Sequence, residues 1–170
     1  MKKVLILLVT ALLLGNYSAV QAQSYNTSVG FRLGPSYGFS IKHFFNHNLA
    51  FEGLVTSHYW GVAGSPSLNF TGLVTWHFPI GRRTGFEWFI GGGAHAGYQL
   101  LNNGGGFGVL VNEGDKPGVF LMGLDVMGGV QYTFPNIPLT LQADYKPAVN
   151  FFEQTNFVMY EIGVTARYTF

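Results

Sequence analysis

The sequence has no cysteine, few charged residues and no long hydrophobic run after its first residues. Without cysteine, the chain cannot form disulfides, carry a lipid on an N-terminal cysteine or supply thiolates to a zinc site. Charged residues make up only 10% of the chain, against about 25% in ordinary soluble proteins. A basic face for a nucleic acid is therefore not expected. No later apolar stretch has the roughly 18 residues of a transmembrane helix.

The N-terminus has the pattern of an export signal. A basic start, Met1-Lys2-Lys3, precedes an apolar stretch from Val4 to Leu14 and a small-residue cleavage site that ends at Ala22. This order predicts a secretory signal peptide over residues 1–22 and one domain over residues 23–170. Without Lys2 and Lys3, seven basic and eight acidic residues remain, which gives a net charge of −1.

Glycine and aromatic residues are abundant, and apolar residues alternate with polar ones. The chain contains 24 glycines and 16% aromatic residues. The alternation is clearest from Phe157 to Phe170, where every second residue from Val158 onward is apolar. A period of two is typical of a β-strand with one buried face. Strands of soluble proteins usually stop near five or six residues, so this length favours an apolar solvent along the whole strand.

The same pattern recurs along the chain with turn signals between the segments. Gly34-Pro35 divides the first alternating region, because proline cannot donate to a strand ladder. Two strands there give an even total, as in bacterial single-chain barrels. The predicted strands are Thr27–Leu33, Ser36–Phe45, Leu49–Tyr59, Ser67–Phe78, Phe86–Tyr98, Gly118–Phe134, Ile137–Ala148 and Phe157–Phe170.

Short and long connections alternate between these segments. Compact turns at residues 46–48, 79–84 and 135–136 alternate with longer connections at residues 60–66, 99–117 and 149–156. Outer-membrane barrels have short turns on the periplasmic side and longer loops on the extracellular side. The longest connection, residues 99–117, is the expected contact for any surface ligand.

The placement of the charges predicts which face is inside. A soluble barrel of the lipocalin type has the same alternation with the opposite polarity. Here the strand charges all share the polar face, and they are too sparse for a soluble surface. The predicted interior residues are Arg32, Lys42, Glu52, Glu87, Asp125, Asp144, Lys146, Glu161 and Arg167.

Aromatic residues concentrate at both ends of the apolar face. Tyr59, Trp60 and Tyr98 mark one end, and a larger group marks the other. Two aromatic girdles are typical of the membrane interfaces of a β-barrel. The larger group contains Trp76, Phe78, Phe86, Trp88, Tyr132, Phe134, Tyr168 and Phe170. The predicted fold is all-β, a single eight-stranded antiparallel up-and-down transmembrane β-barrel with a polar, filled interior and an apolar, lipid-facing exterior.

Four segments carry a resemblance to a known class of proteins. They are VGFRLG running into GFSIKHF (residues 29–44), GGGAHAG (residues 91–97), DYKP (residues 144–147) and ARYTF (residues 166–170). Across the mature chain, the sequence resembles small outer-membrane barrels of the OmpA/OmpX type, and most of all the barrel-domain proteins of Bacteroidetes-like Gram-negative bacteria. The resemblance implies an outer-membrane location, contact with outer-membrane lipids and insertion by the barrel-assembly machinery. It also implies that Tyr168 and Phe170 form the C-terminal insertion signal, but it implies no particular activity.

The residues favour a non-enzymatic protein that acts through its loops, with two alternatives. An eight-stranded interior is filled by side chains, so the charged network is expected to be structural, and a narrow ion-conducting path is the first alternative. The second is a lipid-modifying enzyme such as a lipid A deacylase. It needs Ser, His and a carboxylate facing lipid together, whereas Ser57 and His43 lie near opposite ends and no carboxylate faces outward. The histidines are interpreted as hydrogen-bonding residues, and neither a metal nor a cofactor is expected.

Overall fold

The computed structural model describes residues 26–58, 67–81, 85–100, 118–151 and 155–170, and the regular structure in these ranges consists of β-strands. Within the same ranges, no helix is long and apolar enough to cross a membrane. The predicted signal peptide lies outside the described residues. The strands are β1 (Thr27–Leu33), β2 (Ser36–Phe44), β3 (Leu49–His58), β4 (Ser67–Pro79), β5 (Phe86–Leu100), β6 (Gly118–Thr133), β7 (Leu139–Tyr145), β8 (Ala148–Asn150), β9 (Asn156–Val158) and β10 (Ile162–Thr169).

The strands form one closed antiparallel barrel with eight positions around its wall, which we call staves. β1 to β6 are one stave each, β7 and β8 together form the seventh, and β9 and β10 together form the eighth. β1 to β6 each pair with the next strand in the chain, and β10 pairs with β7 on one side and with β1 on the other, which closes the barrel. β8 continues β7 along β6, while β9 pairs with β8. The predicted eight-stranded up-and-down barrel is therefore confirmed. Among the described strands, β1 to β7 and β10 are therefore each paired on both sides, as closure of a barrel requires.

The turn at Gly34-Pro35 separates β1 from β2, as the sequence predicts. Phe31 pairs with Phe39 across this hairpin, and Arg32 pairs with Gly38. Proline lies in the turn, where no ladder hydrogen bond is required of it. The even number of staves follows from this turn.

The last two staves differ from the predicted continuous strands. β7 and β8 keep one register along β6, but Pro147 interrupts the stave, and only its carbonyl group bonds, to Val126 N at 3.0 Å. On the facing stave, Tyr145 pairs with Ile162 and Ala148 pairs with Val158, so four steps along β9 and β10 match three along β7 and β8. This mismatch is a β-bulge. It contradicts the predicted unbroken strand Phe157–Phe170.

The bulge also reverses the faces of the residues before it. Val158 was predicted to face outward with Ile162, but it pairs with the buried Ala148 and is half-buried. Directly paired residues lie on the same face of a sheet, so Val158 faces inward. Phe157 takes the outward position instead and is 72% exposed.

Burial alternates along the staves and separates two surfaces. In β4 and β10, buried and exposed residues follow one another almost without exception. Serine, threonine, amide and charged side chains dominate the buried face, whereas large apolar side chains dominate the exposed face. The interior of the barrel is therefore mainly polar, and the exterior is apolar, as predicted.

Candidate functional site: the charged interior of the barrel

All nine charged residues predicted to face inward lie on the inner wall. Eight of them are buried, and only Glu87 keeps a partly exposed side chain, at 29%. These nine are also all the Asp, Glu, Lys and Arg residues in the described part of the chain. The outer surface of the described barrel consequently carries no charged side chain.

A first group of charges surrounds Glu52 on β3. Lys42 Nζ lies 3.0 Å from Glu52 Oε2, and Arg167 Nη2 bonds the other carboxylate oxygen. Arg167 also donates to Ser40 Oγ at 2.8 Å. Buried charges are costly unless they are paired and hydrogen-bonded, and these contacts bring together side chains from β2, β3 and β10.

A second group surrounds Arg32 on β1. Its guanidinium bonds Asp144, and its Nη2 lies 3.7 Å from Glu161 Oε1. Glu161 also accepts a hydrogen bond from Ser36. This group joins β1 to the stave formed by β7 and to the bulge before β10.

Gln142 connects the two groups into one network, which we call the central network: Arg32, Lys42, Glu52, Asp144, Glu161 and Arg167. The Gln142 Oε1 atom accepts hydrogen bonds from Lys42 Nζ at 2.6 Å and from Arg167 Nη1 at 2.8 Å. Its Nε2 donates to Asp144 Oδ2 at 3.0 Å. Three cations and three anions make the central network neutral, so it can remain buried without a counterion.

Two smaller clusters lie toward the ends of the barrel. Near the rim with the long connections, His95 Nδ1 lies 2.7 Å and Lys146 Nζ 2.8 Å from the two oxygens of Asp125. Near the other rim, His77 Nδ1 lies 3.1 Å from Glu87 Oε2. Paired charged and polar groups thus occur in the middle of the described interior and near both of its ends.

The histidines do not gather into a metal site. His77 and His95 face the interior, whereas His43 is exposed beside Thr27 Oγ1 at 2.9 Å. In the described ranges, no group of three or more His, Cys, Asp or Glu side chains could hold a metal ion.

The residues considered for a lipid-modifying enzyme lie far apart. In the pairing of β2 with β3, Tyr37 lies opposite Ser57, and His43 lies opposite Phe51. Tyr37 and His43 are six positions apart along β2, a distance of about 20 Å. Ser57 and His43 cannot therefore form a nucleophile and base pair, which requires hydrogen-bonding distance.

An apolar cluster in the interior was missed by the sequence analysis. Leu54, Leu73, Phe89 and Met127 are almost fully buried and contact one another. They lie at the positions of β3 to β6 that face the lumen, so their place in the alternation could have revealed them. Lys42 Nζ lies 4.6 Å from the centre of the Phe89 ring, which joins this cluster to the central network by a cation–π contact.

Gly163 provides the space for the Arg32 guanidinium. A methyl group added at Gly163 would overlap the guanidinium carbon and nitrogens. We expect Gly163→Ala to displace Arg32 from its two carboxylates and to lower the free energy of unfolding by about 1–3 kcal/mol. Urea titration of the protein in lipid vesicles measures this change.

Gly72 offers the matched control, because an added methyl group there would lie 3.5 Å from the Phe51 ring, an ordinary contact. Gly72→Ala should leave stability unchanged or slightly raised. Equal stability of the two variants would contradict the role assigned to Gly163.

The exterior carries aromatic residues at the rim with the short turns. Phe78 stacks on Trp88 at 4.5 Å, and Tyr132 contacts both Phe86 and Phe134 at 4.7 Å between ring centres. Tyr168 and Phe170 lie at the same rim with exposed rings. At the opposite end, Tyr98 is exposed, while Tyr59 and Trp60 lie outside the described residues.

Comparison with known proteins identifies the fold. No family model and no curated protein matches the sequence. The N-terminal β-barrel domain of OprF from Pseudomonas aeruginosa is similar with a TM-score of 0.60 and 14% identity over 87% of this chain and 100% of that chain. Neisserial surface protein A (NspA) gives 0.55 and 15% over 85% and 93%. Ail, the attachment invasion locus protein of Yersinia pestis, gives 0.54 and 14% over 85% and 96%.

These neighbours are small eight-stranded outer-membrane barrels, so the predicted resemblance is confirmed at the level of the fold. Identities of 14–15% establish the fold alone. The narrower resemblance to barrel-domain proteins of Bacteroidetes-like bacteria stays a prediction.

Proposed function

We propose that this chain is a non-enzymatic integral protein of the bacterial outer membrane that makes surface contacts through its extracellular loops. The predicted signal peptide, residues 1–22, would direct its export. The contacts would be made by the long connections, above all residues 99–117.

One observation carries the membrane location: the polarity of the barrel is inverted relative to a soluble protein. Every charged residue of the described chain faces the interior, while large apolar side chains cover the exterior. Soluble monomers rarely expose a contiguous apolar patch larger than a few hundred Å². A closed barrel with an apolar outer band and aromatic girdles fits a bilayer, because its backbone groups are satisfied between strands.

The filled interior supports a role at the rim rather than inside the barrel. The central network and the apolar cluster occupy the lumen with the chain's own side chains. The connections after β2, β4 and β6 have four, six and five residues, whereas those after β3 and β5 have eight and seventeen. The long connections all leave the same rim, which would be the extracellular one.

Tyr168 and Phe170 support a route of insertion. Both rings are exposed at the end of β10, with 6.4 Å between their centres. We assign them to recognition by the barrel-assembly machinery, in addition to their place in the aromatic girdle.

Deletion of residues 102–116 tests the surface role. The barrel should still insert, because the paired part of β5 and β6 is retained, and it should still shift in gel mobility only after boiling in SDS. Proteinase K added to intact cells should cut the complete protein within residues 101–117 and leave the deletion variant intact. Adhesion of expressing cells to a serum-coated surface should fall to the level of cells without the protein.

A variant in which residues 102–116 are replaced by a glycine–serine segment of equal length is the control for loop length. It should insert like the complete protein and adhere like the deletion variant. Undiminished adhesion of both variants would contradict the loop role. Altered lipid A acylation in cells that express the complete protein, measured by mass spectrometry, would contradict the non-enzymatic assignment.

A further inference from the structure

We propose that the apolar cluster around Phe89, rather than the central network of charges, seals the lumen against water and ions. We call Leu54, Leu73, Phe89 and Met127 the apolar septum. The proposal rests on the membrane location proposed above. It predicts that the lumen is closed to water and ions and that the Phe89 ring is the main barrier.

The septum and the charges occupy different sides of the lumen. The four septum residues project from β3, β4, β5 and β6. The central network lies mostly on β1, β2, β7 and β10, which form the opposite wall. Because Phe89 is 1% exposed and its ring lies 4.6 Å from Lys42 Nζ, the two sides meet at Phe89.

The Phe89 ring also continues toward the rim with the short turns. It stacks on the His77 ring at 5.1 Å between centres, and His77 in turn contacts Phe44 at 4.8 Å. This stack continues the ring contacts from the septum toward that rim. An ion that followed the lumen would have to pass the edge of Phe89.

Glycines occupy several of the positions near Phe89 on β5 and β6. Gly91 and Gly93 occupy the next two inward positions of β5, where they pair with Met127 and Asp125 of β6. Gly129 pairs directly with Phe89, and a methyl group added there would lie 2.9 Å from Phe89 Cζ. Truncation of Phe89 would leave a space that is bordered in part by glycines, which have no side chain to fill it.

A physical difference between the two sides favours the septum as the barrier. A wall of charged and amide groups can exchange its internal partners for water, so it does not by itself exclude hydrated ions. An apolar constriction excludes ions by expelling water from the narrow passage. Removal of the apolar side should therefore open a path whose remaining walls are already polar.

Planar-bilayer recording of single variants tests the proposal. The complete protein should show no resolvable conductance steps, and Phe89→Ala should show them. Phe86→Ala, on the same strand but with its ring exposed on the outer face at 44%, is the matched control and should stay silent. Phe89→Met keeps an apolar side chain in the septum and should also stay silent.

Glu52→Gln separates the two possible barriers. The proposal predicts that this variant, which weakens the central network while the septum remains, stays silent. Conductance of Glu52→Gln together with silence of an inserted Phe89→Ala would place the barrier in the charges and overturn the proposal.

A chemical reporter gives a second readout, because the chain has no cysteine of its own. Thr75→Cys places one thiol on the inner wall beside His77, at a position that is fully buried. A water-soluble maleimide should label this thiol on the order of tenfold faster when Thr75→Cys is combined with Phe89→Ala or Phe89→Val, because water then enters the lumen past the truncated side chain. An unchanged labelling rate with either Phe89 substitution would contradict the proposed seal. Loss of the heat-dependent gel shift in the complete protein would instead contradict the membrane location.

Discussion

Replacement of Leu124 by arginine should lower the free energy of unfolding in a lipid bilayer by about 2–4 kcal/mol. Leu124 lies near the middle of β6, and its side chain is 59% exposed on the outer face. A cation at that height would meet the hydrocarbon core, whereas on a soluble barrel it would meet water and cost almost nothing. Urea titration in vesicles, followed by tryptophan fluorescence, measures the change.

The matched control lies at the rim. Phe151 follows β8 and is 52% exposed, so Phe151→Arg should cost only about 0–1 kcal/mol in the same assay. The difference between the two variants reports the depth of each position. If Leu124→Arg were as stable as the unaltered protein, or if both variants lost the same stability, the exterior would not face a bilayer as proposed.

Replacement of Glu52 by glutamine should destabilise the barrel by about 3–5 kcal/mol. Glu52 is the anion nearest to both Lys42, at 3.0 Å, and Arg167. Glutamine has a similar shape but no charge, so two buried cations would remain with mainly neutral partners. The same urea titration measures the loss.

Glu87→Gln is the control for this second prediction. Glu87 contacts His77 and Gln131, but its side chain is 29% exposed near the rim. Water can solvate the groups left behind, so the cost should be about 0–1 kcal/mol. Equal stability of the Glu52 and Glu87 variants would show that the central network is not needed for the folded state.

Much of the fold could be predicted because a strand encodes its two faces in consecutive residues. Arg32 and Lys42 fall on the polar side of their segments, and both are buried in the barrel. Gly34-Pro35 marks a turn by a local chemical rule, the missing donor of proline. Such signals depend on neighbours in the sequence and do not require knowledge of the partner strand.

The bulge could not be predicted in the same way. The alternation from Val158 to Phe170 is continuous in the sequence, but the facing stave contains Pro147, and the two ladders differ by one residue. A register shift is a property of two strands together. The sequence of one strand therefore does not show it.

The pairing of the buried charges was also beyond the sequence. Alternation predicts that Glu52 and Arg167 face inward, but they are 115 residues apart, and their contact depends on the closed barrel. Phe89 was missed for a related reason, since an apolar residue next to the outward-facing Trp88 does not interrupt an apolar pattern. Its position two residues after the inward-facing Glu87 nevertheless predicts an inward ring, and the pairing of β5 with β4 and β6 is consistent with that position.

The most direct test of the inverted polarity is a nitroxide scan of β4 in lipid vesicles. The cysteine-free chain allows one label at a time. Labels at Phe70 and Val74, which are exposed, should collide frequently with lipid-dissolved oxygen and rarely with a water-soluble nickel complex. Labels at Thr71 and Thr75, which are buried, should collide rarely with either. Frequent collision of the Phe70 and Val74 labels with the nickel complex would contradict a lipid-facing exterior.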